Sequence, residues 1–176
     1  WLMGTETSFN FNLYDTSEER IDGEEVDEQG VNVTFGHELA ENTTGYMKLD
    51  YHNTEEENDS GVLKETNTRS ITLNAVRDTR NNMLNPTTGS RQSASVEKAG
   101  FGGDADFTKY ETDLRKYLPS GSDNSFALRL KAGASNGTLP DDERYYLSGS
   151  KGVRGYNEDY YDEQDTDGDG NPDYDP

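Results

Sequence analysis

The chain has 176 residues, 29% hydrophobic and 30% charged, with 36 acidic against 16 basic side chains and no cysteine. No apolar run approaches the roughly 20 residues of a membrane helix, and disulfides and thiolate metal sites are excluded. A net charge of -20, with no basic face broad enough for phosphates, argues for no nucleic acid among its partners.

A mean hydropathy of -1.09 on its own reads as disorder. The 11 Tyr and 6 Phe and a recurring alternation of apolar and polar residues resist that reading. The opening WLMGTETS has neither the basic region nor the cleavage pattern of a signal peptide. Both ends are abrupt, as expected of a piece of something longer.

Seven segments alternate with period two, the mark of half-buried strands. The first sets Phe9, Phe11 and Leu13 against Ser8, Asn10, Asn12 and Tyr14. The second sets Val31, Val33 and Phe35 against Asn32 and Thr34, and the third Met47, Leu49 and Tyr51 against Lys48 and Asp50. In the fourth, Ile71, Leu73 and Ala75 alternate with Thr72, Asn74 and Val76. Ala94 and Val96 alternate with Ser93, Ser95 and Glu97 in the fifth. The sixth sets Tyr110, Thr112 and Leu114 against Glu111, Asp113 and Arg115. The seventh sets Phe126, Leu128 and Leu130 against Ala127, Arg129 and Lys131. No segment predicts a helix.

The predicted connections run long (15–29), short (38–43), long (52–67), short (78–88), medium (100–106) and short (119–123), then very long from about 135. An up-and-down barrel in an outer membrane alternates long external loops with tight turns in this way. Charge agrees with that orientation. Residues 1–60 carry 16 acidic against 2 basic groups, residues 61–155 carry 11 against 14, and residues 156–176 carry 9 against none. Acidic surfaces of this kind suit high salt or divalent cations. The polar faces carry both signs, as in Glu111, Asp113, Arg115, Arg129 and Lys131, which suits a hydrated lumen. Shared parity predicts that Phe9, Phe11, Leu13, Val31, Val33, Phe35, Leu49, Leu73, Leu128 and Leu130 face lipid. A soluble antiparallel sandwich alternates equally well and stays open at this point. Seven strands do not close a channel-sized barrel, so further strands are expected from elsewhere.

From residue 77 the chain resembles one family. The blocks are RDTRNNMLNPTTGSRQSASVE (77–97), GGDADFTKYETDLRKYLP (102–119), FALRLKAGA (126–134) and DERYYLSGSKGVRGY (142–156). Four ordered blocks with matching spacing are specific, and the resemblance is diffuse over 1–76. They are similar to the barrel of BamA-type outer-membrane assembly factors, the bacterial surface antigen family. The fold implied is all-β, an antiparallel up-and-down transmembrane β-barrel. It is present here as a partial barrel of about seven strands over 1–134, followed by a long extracellular loop over 135–176. The strands resemble family strands five to eleven of sixteen. Strands one to four and twelve to sixteen, and the periplasmic POTRA domains, are then expected in the full-length chain. Pro86 and Gly89 resemble family turn residues, with a structural role.

The resemblance also implies that Val153, Arg154, Gly155 and Tyr156 sit at the tip of a loop that folds back into the lumen. Arg154 would pair there with an acidic group on a later strand, outside this chain. Gly152 and Gly155 would allow close backbone approach, and Val153 and Tyr156 would pack on the lumen wall.

After Tyr156 the sequence departs from the family. Asp165, Asp167, Asp169 and Asp173, with Gly170 among them, have the oxygen-ligand spacing of a calcium loop. The stretch resembles thrombospondin type-3 repeats and the first nine positions of an EF-hand loop. Its twelfth position is Pro176, where an EF-hand carries a bidentate Glu. A solvated acidic loop fits the same residues. No cofactor is required, and calcium is the one the sequence offers.

Family members are not enzymes, and no enzyme is read here. His37, on a predicted turn, and His52, at a predicted strand end, stand alone, and the carboxylates are dispersed. The expected function is assembly and insertion of outer-membrane proteins in the bacterial outer membrane. The expected partners are the lipid bilayer and unfolded outer-membrane protein clients. A two-partner secretion transporter and a soluble extracellular calcium-binding β-protein are the alternatives.

Overall fold

The computed structural model describes residues 6–19, 25–57, 63–121, 124–140 and 143–145. It contains β1 (Thr7–Glu19), β2 (Glu25–Ala40), β3 (Thr43–Glu57), β4 (Leu63–Asp78), β5 (Gly89–Ala99), β6 (Asp106–Ser120) and β7 (Asn124–Thr138). They form one antiparallel sheet in chain order, each strand paired with the next. Among the described residues there is no α-helix.

The register builds two unlike faces. Phe9 pairs with Phe35, Phe35 with Met47, Met47 with Leu73, Leu73 with Val96 and Val96 with Tyr110. Side chains alternate along a strand, so this row and its neighbours two residues away share the apolar face. That face is open: Phe9 is 50% exposed, Leu13 69% and Leu130 61%. The small buried core lies on the opposite face instead. Ala99, Ala105 and Phe107 are buried there, with Leu139 packed against them. In a soluble sandwich a second sheet covers the apolar face, and no described residues form one.

The strands run past the apolar band. About ten residues of a tilted strand cross a bilayer, yet β2 and β4 have 16 residues each and β3 has 15. The excess is acidic: Ser17 pairs with Asp27 and Glu19 with Glu25, where neither face is apolar. This corrects the predicted connections. The stretches expected as long loops, 15–29 and 52–67, shrink to 20–24 and 58–62, and the supposedly short 78–88 becomes the longer connection 79–88. Alternation of apolar and polar residues detects only the part of a strand whose two faces meet different media. Hydrogen-bonded pairing continues beyond it.

The connection 79–88 is tied by side chains. Asn81 Oδ1 accepts the backbone N–H groups of Thr87 and Thr88, and Asn82 Oδ1 accepts those of Leu84 and Asn85. Arg80 Nη2 donates to Asp78 Oδ2 at 2.6 Å, and this hydrogen bond raises the guanidinium's pKa above its ordinary value. Gly89 closes the turn at φ 97. A Cβ there would collide with the Thr79 carbonyl, so the sequence reading of Gly89 as a structural turn residue agrees with the geometry.

Candidate functional site

The polar face carries ion pairs across strands. Arg115 on β6 and Arg129 on β7 are direct register partners. Two like charges in that position repel, and Asp113 lies between them. Arg115 donates to it through Nη2 at 2.7 Å and Nε at 3.1 Å. Arg129 donates through Nη2 at 2.8 Å and Nε at 3.2 Å. One carboxylate thus holds two guanidinium forks, a rigid arrangement. It joins three of the five residues predicted for a charge-paired lumen.

Toward the acidic end, His52 Nδ1 donates to Asp50 Oδ2 at 2.7 Å, and Lys48 Nζ lies 3.2 Å from Asp50 Oδ1. Asp50 and His52 are buried. Ser70 donates to Glu97 at 2.6 Å. His37 accordingly sits within β2, 3.2 Å from the Thr7 hydroxyl, and His52 within β3. Neither is on a turn or a strand end, and His52 is not alone. The signal was available: Asp50 and His52 are two apart on one strand and therefore share a face. Among the described residues, no three His, Asp or Glu side chains converge as metal ligands.

Beyond β7 the chain turns back onto this face. Lys109 Nζ donates to Glu143 at 2.7 Å and lies 5.1 Å from the centre of the Tyr145 ring. The Tyr145 hydroxyl lies 2.9 Å from the Tyr110 carbonyl and 3.0 Å from that of Ala134, so one proton serves two acceptors. Burial raises its pKa above the ordinary tyrosine range, which keeps it a donor. The ring occupies the space above Gly133, where a Cβ would come within 2.5 Å of it. Tyr14 covers Gly30 and Tyr46 covers Gly36 in the same manner, a device that restores packing where a sheet glycine lacks a side chain. No residue pattern singles out the Tyr145 contact, because it joins positions 12 apart through the fold.

Val153, Arg154, Gly155 and Tyr156, and Asp165, Asp167, Asp169 and Asp173, lie outside the described residues. What the structure places is the beginning of their segment, at Glu143 and Tyr145, on the polar face.

Comparison with known proteins bears on this two-faced sheet. The Omp85 superfamily domain matches residues 1–172. A SAM50-like protein of Schizosaccharomyces pombe is 35% identical over 100 residues, which cover 52% of this chain and 21% of that protein. The crystal structure of BamA from Haemophilus ducreyi lacking POTRA domains 1-3 matches with a TM-score of 0.71 at 18% identity, over 89% of this chain and 36% of that one. At that identity the likeness to BamA speaks for the fold, a partial antiparallel barrel. The chain spans only a minor part of the length of either relative.

Proposed function

The chain belongs to the Omp85 superfamily, and on that premise we propose that it forms one wall of an outer-membrane barrel that assembles and inserts other membrane proteins. In this reading the apolar face meets lipid and the polar face meets the lumen. The observation that carries it is the pairing of an open apolar face with an opposite face that holds the ion pairs and receives the chain after β7. The barrel is proposed for the bacterial outer membrane. Its clients are unfolded outer-membrane proteins, and POTRA domains and the remaining strands come from the full-length chain.

No catalytic step is assigned. Insertion by such a barrel uses a sheet edge that accepts a client strand, and this segment supplies the wall away from that seam. The segment from Tyr145 continues, in our reading, into the lumen. Arg154 pairs there with an acid on a later strand, flanked by Val153, Gly155 and Tyr156. The tail residues Asp165, Asp167, Asp169 and Asp173 are proposed to take calcium.

Reconstitution of the full-length protein into liposomes tests the reading. Folding of a urea-unfolded outer-membrane barrel into those liposomes is expected. Passage of an unfolded soluble polypeptide into the lumen, without insertion of barrels, would instead favour a two-partner secretion transporter.

A further inference from the structure

The apolar face is not uniformly bulky. Gly45, Ala75 and Ala94 are register partners on β3, β4 and β5. Ala75 and Ala94 floor a groove of 590 Å³, walled by Met47 and Leu73 on one side and on the other by Leu39, whose side chain covers Gly45. That volume lies within the roughly 300–1,000 Å³ of small-ligand sites. One residue pair nearer the 79–88 connection, the next row on this face begins with Thr43, Arg77 and Gln92. Arg77 is exposed, and its guanidinium makes no hydrogen bond or ion pair with any described residue. Lys116, two strands away, is likewise exposed and has no such partner among the described residues.

Engagement, not depth, distinguishes Arg77 from Arg69. The two bracket Ile71, Leu73 and Ala75 on β4, with eight residue steps between them. At about 3.4 Å per residue that is about 27 Å along the strand, close to the apolar band of about 25 Å in such barrels once tilt is allowed for. Both arginines therefore stand at headgroup depth. Arg69 is engaged, lying over the Tyr51 ring, whereas the Arg77 guanidinium has no partner among the described residues and stands one row from the apolar groove.

We propose that this groove is a phospholipid site, with an acyl chain over Ala75 and Ala94 and the lipid phosphate on Arg77. The proposal rests on the reading that the apolar face meets lipid. A guanidinium and a phosphate form a forked, charge-assisted pair, and a groove that dips between Leu39 and Leu73 receives a chain that a flat lipid-facing surface would leave mobile. The match of charge and depth selects a phospholipid over an apolar protein segment.

Native mass spectrometry of the full-length protein with phosphatidylglycerol tests it. One lipid should persist after detergent removal. Arg77→Ala should lower its occupancy at least about tenfold, the minimum expected when a charge-assisted hydrogen-bonded pair is removed. Ala75→Phe, which fills the floor, should lower it similarly, and Arg69→Ala should not. Chain-matched diacylglycerol, lacking the phosphate, should bind equally to wild type and Arg77→Ala. A nitroxide at Leu130, outside the groove, reports separately whether this face meets lipid. If it does and all variants retain the same lipid, the site is wrong. If it does not, the lipid-facing reading beneath it is wrong too.

Discussion

The guanidinium of Arg69 lies 5.4 Å from the centre of the Tyr51 ring, its register partner on the apolar face. The Tyr51 hydroxyl accepts a hydrogen bond from Asn67 Nδ2 at 2.9 Å. A cation over an aromatic ring whose hydroxyl is also satisfied suits the boundary between hydrocarbon and water. Beyond this pair, β3 ends in Thr54, Glu55, Glu56 and Glu57, and the acidic extensions begin. The pair thus divides the apolar band from the strands that project past it.

Asp113 is the keystone of the lumen-face charges. Asp113→Asn should leave Arg115 and Arg129 opposed and only weakly bridged. Because both arginines are partly exposed, the cost is expected at about 1–2 kcal/mol rather than the larger value of a fully buried pair. Urea unfolding of the full-length barrel in vesicles measures it. In a double-mutant cycle, Asp113→Ala and Arg115→Ala should couple. Strictly additive effects would show that the forks contribute nothing.

Gly133 and Tyr145 should behave as one unit. Gly133→Ala puts a Cβ into the Tyr145 ring, so it should release the start of the segment after β7 from the sheet. Tyr145→Ala should release it equally, and the double variant should add nothing further. Hydrogen exchange over residues 143–145 provides the readout. Unchanged protection in Gly133→Ala would mean that the ring does not sit there in solution.

For the proposed lumen segment, Arg154→Ala in the full-length protein should impair client folding or barrel stability far more than Lys151→Ala. Leaving a buried acid without its partner costs about 3–5 kcal/mol. Small and equal effects of the two changes in a growth or insertion assay would count against a lumen-docked Arg154.

The proposed calcium loop gives a direct titration. Calcium should bind with one-site stoichiometry and a dissociation constant of about 10⁻⁴–10⁻³ M, the weak end expected without a bidentate Glu. Asp167→Asn with Asp169→Asn should abolish the binding heat. Identical heats for both proteins would reduce the tail to a solvated acidic stretch.

Much of the sheet was legible because parity is a local property. Phe9, Val33, Leu49 and Leu73 announce their face through neighbours one residue away, and the register brings that set together on one side. Strand length was not legible. Where Ser17 faces Asp27, neither face presents an apolar row and the alternation disappears, although the ladder continues. The cover over Gly133 was also hidden, since a glycine in a strand does not name the ring that will fill its space. The Asp50–His52 bond was readable from spacing and was missed because the strand was taken to end at Tyr51.

A single-cysteine nitroxide scan of β3 from Thr43 to Glu57, in the full-length protein in liposomes, tests the two-faced wall most directly. The 176 residues hold no native cysteine, so none within them has to be replaced before labelling. From Thr43 to Tyr51, accessibility to oxygen, which concentrates in lipid, should alternate with accessibility to a water-soluble nickel complex. Met47 and Leu49 should favour oxygen, and Lys48 and Asp50 should not. From Asn53 onward the alternation should vanish. Water accessibility at Met47 and Leu49 matching that at Lys48, or alternation continuing unchanged to Glu57, would contradict a membrane wall that ends at the Tyr51–Arg69 pair.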